Sequence, residues 1–341
     1  MPEIAKSVIT HSALSMFKSC RFKYYLRHVH QLDTIDRPDY LYFGTIIHKA
    51  LEMYYSGTPF EDDSGEDVKD YLFKACQDKL WHQTEKLQEL YAYAMMHGYV
   101  RKYPVGHEPW EVVEVEPQFE CALVNPKTGR PSRKYRIAGK ADMLVKMPGT
   151  DEYYLVEHKT AASLTEDYIE NIWTDDQIYL YGYYLAKDRN IRIVGCIYNV
   201  LVKSGMRRKG MRSKKPDAEI ETSQSLLARL LEAYQEPSMF YRETVLFERS
   251  RVMQMLDQHW EINRQLVEAH ARQRDLLKLG PNIAVRGAFY DNKQACNYYN
   301  RKCFYFDACR SNFHPLIMDG KYVSKTPHQE LQEENDNGTV S

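Results

Sequence analysis

The 341-residue chain has no apolar run approaching the roughly 18 residues that span a bilayer, which excludes a transmembrane helix. Its first stretch, MPEIAKSVITHSALSMFKSC, lacks the apolar centre of a signal peptide, so a cytoplasmic protein without structural disulfides is the expectation. Charge of one sign is not in excess either: 46 Lys and Arg against 47 Asp and Glu leave a formal net charge of −1. A global basic field is thereby excluded, and any nucleic-acid contact must come from a local patch. No Gly-x-x-x-x-Gly-Lys-Ser/Thr segment occurs, so an unwinding motor of that kind would have to be another chain. Internal repeats and low-complexity linkers are also absent, which favours one domain over several.

What is present is an ordinary globular composition, 43% hydrophobic, with an abundance of tyrosine (27 residues) able to fill a wet-edged core or to stack on bases. Apolar spacing predicts a helix from a Ser12 cap, a second through LYFGTIIHKALEMYYSG closing at Gly57, and a third over 67–103. The pattern then alternates. WEVVEVEPQFECALV reads as a strand, KYRIAGKADMLVKM as a second broken at Gly139, and YYLVEHKT as a third. A helix over about 165–187, the strand RIVGCIYNVLVK and a helical segment over 222–280 follow. The expected organisation is a single domain over 1–324. It has an α/β core at about 105–220, helical parts at 12–104 and 222–280, and a Cys-rich segment at 285–315. The polar stretch 325–341 reads as a disordered tail.

Within YLVEHKT, Glu157 and Lys159 project from one face of a strand whose other residues are apolar. Opposite charges leaving a buried strand together are costly unless paired or put to use. Fifteen residues earlier Asp142 leaves the preceding apolar strand, and antiparallel pairing would bring it beside Glu157. Two carboxylates with a lysine suit a hard divalent cation and a phosphoryl-type displacement. A surface ion pair at a strand end is the plainer alternative. His48 sits on a helix whose apolar side is Ile46, Ile47, Ala50 and Leu51, and Gln177, Tyr181 and Tyr184 form a polar helical stripe.

Gly44 to His48, Gly139 to Asp142, Glu157 to Thr160 and Gln177 to Tyr181, in that order, resemble the motifs of the RecB-type nucleases of the PD-(D/E)XK superfamily. The resemblance implies a nuclease core, a central mixed sheet flanked by helices, with a helical periphery. It implies a Mg²⁺ or Mn²⁺ site at His48, Asp142, Glu157 and the backbone carbonyl of His158. Lys159 would assist hydrolysis, with Gln177 and Tyr181 beside it. Cys20, Cys296, Cys303 and Cys309 are similar to the thiolates of the family's iron–sulfur branch, which hold a 4Fe–4S cluster joining the chain ends. The spacing departs from that pattern between Cys296 and Cys303, and a Cys₄ zinc site fits the residue types too. Cys76, Cys121 and Cys196 read as core residues.

The segment KSGMRRKGMRSKK, residues 203–215, holds seven Lys or Arg in thirteen positions, and follows a core strand. Beside a nuclease core, Lys203, Arg207, Arg208, Lys209 and Arg212 become candidate phosphate contacts; otherwise the run is a solvated loop. The expected function is a metal-dependent DNA exonuclease or end-processing nuclease, in recombination, repair, phage DNA metabolism or CRISPR adaptation. Its partners would be DNA ends and a helicase or recombinase. The alternative is a non-catalytic DNA-end-binding protein on the same fold, and a zinc-stabilised RNA-binding protein is a third possibility.

Overall fold

The computed structural model describes residues 7–35, 39–57, 86–210, 220–298, 301–312, 318, 320–325 and 331. Cys76, Arg212, all of the 67–85 stretch and nearly all of the 325–341 segment lie outside the described residues. The chain opens with strand β1 (Ser7–Ile9) and helix α1 (His11–Ser19). The cap of α1 is Thr10, not Ser12: the Thr10 hydroxyl accepts from the Ala13 N–H, while Ser12 already lies inside the first turn and bonds Thr10 Oγ1. A short helix α2 (Arg21–Tyr24) continues as a π turn to Val29, then come β2 (Leu32–Thr34), α3 (Asp39–Tyr55) and α4 (Lys86–Lys102).

The stretch expected to be one strand from Trp110 to Val124 is two, β3 (Glu111–Val115) and β4 (Gln118–Val124), in different sheets. Pro117 has no N–H for a ladder, and Glu116 before it takes a left-handed backbone (φ 55°), so pairing stops there. The next expected strand divides in the same way, but not at Gly139. β5 (Pro131–Lys140) runs through that glycine, and the break falls at Ala141–Asp142 before β6 (Met143–Lys146). β7 (Tyr153–Ala161), α5 (Glu166–Ile172), α6 (Asp176–Arg189) and β8 (Ile193–Val202) follow. The single helix expected over 165–187 is thus a pair, because Asp175 turns its carboxylate onto the Gln177 N–H and starts a new helix.

The segment 222–280 is not all helix. α7 (Ser223–Ala233) and the 28-residue α8 (Arg249–Leu276) enclose strand β9 (Phe240–Leu246), with α9 (Pro281–Ala288) beyond. Two two-residue strands, β10 (Asn297–Tyr298) and β11 (Arg301–Lys302), helix α10 (Phe306–Arg310) and strand β12 (Tyr322–Ser324) complete the described chain.

The central sheet has the order β3-β6-β7-β8-β9 and is mixed: β7 and β8 are parallel, the other neighbours antiparallel. A second sheet, β1-β5-β4, lies beside it, and β12 pairs with β2, tying the late segment to the early one. Alternation along the central strands divides the core into two. Leu144, Leu155, Cys196, Tyr198 and Val200 pack toward α1, α6 and α8. Met143, Val145, Val156, Ile197 and Leu201 pack toward α3, α4 and α7. The fold is therefore α/β, a mixed sheet covered by helices on both faces. Among the described residues no helix is long and apolar enough to cross a membrane.

Candidate active site

The two chain breaks that separate the sheets meet. The Glu116 N–H donates to the Asp142 carbonyl at 2.9 Å and the Ala141 N–H to the Pro117 carbonyl at 3.0 Å. Asp142 is thereby fixed at the seam where β5 leaves one sheet and β6 enters the other, with its side chain free of a strand's pleat. One carboxylate oxygen lies 3.1 Å from His48 Nδ1 on α3, and the other accepts the His158 N–H at 2.7 Å. Burial alone would raise the Asp142 carboxyl, but the charge of His48 and its hydrogen bond outweigh it, holding Asp142 well below the usual carboxylate range. His48 moves the other way: burial opposes its protonation, and Asp142 more than offsets that.

On β7 the pleat sends Glu157 and Lys159 to the α6 side and His158 to the α3 side. Glu157, only 2% exposed, bonds Lys159 Nζ and accepts from the Gln177 amide at 3.0 Å, while Lys159 also donates to the Gln177 oxygen at 3.2 Å. Burial pushes the Glu157 carboxyl up; Lys159 opposes the rise and the Asp142 charge adds to it. Burial would discharge Lys159, but the Glu157 and Asp175 carboxylates outweigh it and keep the ammonium protonated. Tyr181 stands one turn beyond Gln177 over Gly139, where a Cβ would fall 2.8 Å from its ring and 2.7 Å from Phe119. That close approach is what the glycine permits. Tyr184 does not belong to a polar stripe: it is fully buried in the core.

His158 opens a second layer that sequence reading did not anticipate. Its ring stacks on Tyr55 (13° between planes, centroids 5.9 Å apart) and its Nδ1 accepts from the Asn199 amide at 2.8 Å. Burial pushes this imidazole down to about 3, so it stays neutral. The Asn199 oxygen accepts from Arg242 Nε at 3.1 Å, and the Arg242 fork grips Glu108 at 2.7 and 2.8 Å while reaching the Tyr55 and Tyr99 hydroxyls. A half-buried charge pair whose three guanidinium nitrogens all find acceptors braces the back of β7.

Three further groups adjoin the site without having been anticipated. Glu116, paired with Lys140, is pushed up by burial and by the charges of Asp142 and Glu52. Asp175 accepts the Tyr198 hydroxyl at 3.1 Å. His11 lies edge-on to Tyr181 at 6.4 Å and within the field of Asp175 and Lys159. The usable signal for Glu116 was Pro117, a proline inside an alternating run.

The donors suit a hard divalent cation: two carboxylates, an imidazole and a backbone carbonyl. Among the described residues no group of three or more His, Cys, Asp or Glu side chains stands in a metal-holding arrangement, and His48 and Asp142 are bonded to each other. Ligation by both would replace that bond. Cys20, Cys296, Cys303 and Cys309 gather at the other end of α1: Cys20 Sγ accepts the Asn292 N–H at 3.4 Å, the Cys303 N–H meets the Cys296 carbonyl at 2.9 Å, and Arg286 donates to Cys309 Sγ at 3.5 Å. Cys20, Cys303 and Cys309 border one small core, and burial, then the charges of Cys303, Cys309 and Cys20, push the Cys296 thiol up. Cys121 and Cys196 are buried in the core.

Of the basic loop, Lys203 lies 4.0 Å from the centre of the Phe43 ring on α3, and its N–H bonds the Ala161 carbonyl where β7 ends. Arg208 donates to Ser223 at 2.7 Å, and the Lys209 N–H to Glu221 at 3.0 Å, pinning the loop to the start of α7; Arg207 is exposed. No curated protein matches the chain. A family model described as the PD-(D/E)XK nuclease superfamily matches residues 8–310, spanning both sheets, all the residues around Asp142 and the four gathered cysteines, and the chain belongs to that superfamily.

Proposed function

We propose that this protein is a metal-dependent DNA nuclease working at strand ends, as an exonuclease or end-processing enzyme. The observation that carries this is the Asp142–Glu157–Lys159 constellation: one carboxylate held ionised, a second buried beside it, and a lysine kept charged between Glu157 and Gln177. His48, Asp142, Glu157 and the His158 carbonyl would hold Mg²⁺ or Mn²⁺, which when bound lowers the pKa of water and neutralises phosphate charge. Lys159 stabilises charge developing on the phosphate. Gln177 orients Glu157 and Lys159, and Tyr181 closes the site above Gly139. Lys203, Arg207, Arg208 and Lys209, at the exit of the catalytic strand, contact the substrate backbone, and Arg212 continues the same basic run.

Cys20, Cys296, Cys303 and Cys309 would supply the four thiolates of a 4Fe–4S cluster, which would fasten the late segment to the first helix. Recombination, repair, phage DNA metabolism and CRISPR adaptation all use such end processing, with a helicase or recombinase supplying the opened strand. The test uses end-labelled single- and double-stranded DNA with Mg²⁺ and with Mn²⁺. Asp142→Ala, Glu157→Ala and Lys159→Ala should each lower cleavage by at least a hundredfold while DNA affinity stays within severalfold of wild type (roughly, from the loss of 2.7 kcal/mol or more of charge stabilisation). Near wild-type cleavage by any one of them removes that residue from its assigned role.

A further inference from the structure

Away from Asp142, the β4–β5 hairpin and α8 enclose a cleft of about 430 Å³ lined by Arg130, Arg133, Lys134, Trp260 and Asn263 among others. Arg130, Arg133 and Lys134 are exposed, and none has an acidic partner among the described residues. The acids nearby are already engaged: Glu120 with Arg136, and Glu261 and Glu268 with Arg264. In a chain of net charge −1 such a run of uncompensated cations is a local anion-attracting face. Farther along α8, burial and then the charges of Arg274 and Lys134 push the His270 imidazole down.

The cleft is also built for more than phosphate. Asn263 is 3% exposed, yet its Oδ1 has no hydrogen-bond partner. A buried amide oxygen without a partner costs on the order of 1–3 kcal/mol, so the wall of the cleft carries an unsatisfied polar group just beneath its surface. Trp260, half-buried, offers a ring in the same cleft. Cations for a backbone and a ring for a base are the two elements of a single-strand contact.

The position fits as well. Asn263 lies one turn of α8, about 6 Å, beyond His259. The His259 ring is edge-on to His11 at 5.9 Å, and His11 touches Tyr181 of the candidate active site.

We propose that this cleft is a second DNA-binding site, which takes one unpaired nucleotide of the substrate strand against Trp260 while Arg130, Arg133 and Lys134 hold the adjoining phosphates. An unpaired nucleotide is required because a paired, stacked base does not expose a face to the ring. The inference rests on the nuclease assignment for its ligand and adds to it a strand path along α8, separate from the basic loop after β8.

The probe is a fluorescein-labelled mixed-sequence single-stranded oligonucleotide, titrated in EDTA at several salt concentrations. Replacing Arg130, Arg133 and Lys134 together by Ser should reduce the slope of log K against log salt by about 2, at roughly 0.7 per single-strand phosphate contact. Intrinsic tryptophan fluorescence of the wild type should be quenched by the unlabelled strand, Trp260→Phe should lose that quench, and Trp260→Leu should bind roughly tenfold more weakly. All four positions lie on or near the surface, and circular dichroism confirms that the variants fold. A wild type that cleaves DNA with Mn²⁺, paired with variants that keep the slope and the quench, overturns the cleft and spares the nuclease assignment. Quenching at Trp260 without any cleavage keeps the cleft and sinks the catalytic assignment. A wild type that binds no single strand overturns the cleft, and the cleavage assay on double-stranded ends then decides the nuclease assignment by itself.

Discussion

Histidine shows how far neighbours control one residue type in this chain. His48 is favoured in its charged form by Asp142, whereas His158 and His259 are buried and held neutral. Burial first, then the charges of His11 and Lys18, bring His259 down to about 3. An unfolded histidine takes its proton near 6.5, so between that pH and about 3 the unfolded chain binds the extra proton and the native one does not. Stability from this group is therefore complete above pH 6.5 and declines as pH falls, by about 1.4 kcal/mol per pH unit. Urea unfolding at pH 6.5 and pH 5 should show the wild type losing about 2 kcal/mol more than His259→Gln over that interval. Parallel losses in the two proteins would mean that His259 is protonated in the fold.

At the scale of elements, propensity and packing disagree at Gly98, inside α4. Helix propensity by itself says that Gly98→Ala stabilises by about 1 kcal/mol. The added Cβ would lie 2.6 Å from the Tyr234 carbonyl and 2.8 Å from its Cβ, where α7 ends against α4. Relief would need backbone to move and not just the tip of a flexible side chain, and overpacking of this kind costs typically 1–3 kcal/mol. The expected outcome is a net loss of about 1 kcal/mol, read as a fall of the thermal midpoint; a rise would show that α7 shifts freely on α4. The same scale explains why the strand and helix boundaries were hard to place from sequence. Periodicity sees β3 and β4 as one alternating run, since both alternate, and the switch of sheet at Glu116–Pro117 is a matter of partners. β9 was lost among helices because seven residues with mixed burial carry little alternation of their own and gain strand form from pairing with β8.

At the scale of the whole molecule, the late segment is bound to the early one. β12 pairs with β2, the Tyr305 hydroxyl bonds the Leu32 carbonyl at 2.8 Å, and Cys20 shares a small core with Phe22, Leu26 and Tyr305. If the four cysteines hold a cluster, the closed loop between Cys20 and Cys296 makes each of them matter for global stability. Anaerobically purified protein should then be brown, with iron and acid-labile sulfide each near four per chain (roughly, from four-thiolate ligation). Cys20→Ser and Cys309→Ser should lower the thermal midpoint by similar amounts and bleach the colour. Colourless protein with one zinc per chain would replace the iron assignment, and an unchanged midpoint in both variants would leave the thiols without a joint ligand.

Spacing along the chain was enough to make Asp142, Glu157 and Lys159 candidates, because charged groups leaving an apolar strand are visible in one dimension, whereas His48 and Gln177 became candidates through their resemblance to the nuclease motifs. Spacing was enough also for the α/β class, since buried strands alternating with helices leave a periodicity of their own. Only the tertiary structure decided which sheet each strand joins, and with it the seam that sets Asp142 between His48 and the His158 N–H. It alone brought Glu108, Tyr55, Tyr99, Asn199 and Arg242, drawn from almost two hundred residues of sequence, onto the back of His158. The physical reason is that a local pattern records burial and period, whereas a buried polar network is satisfied by partners of any sequence separation.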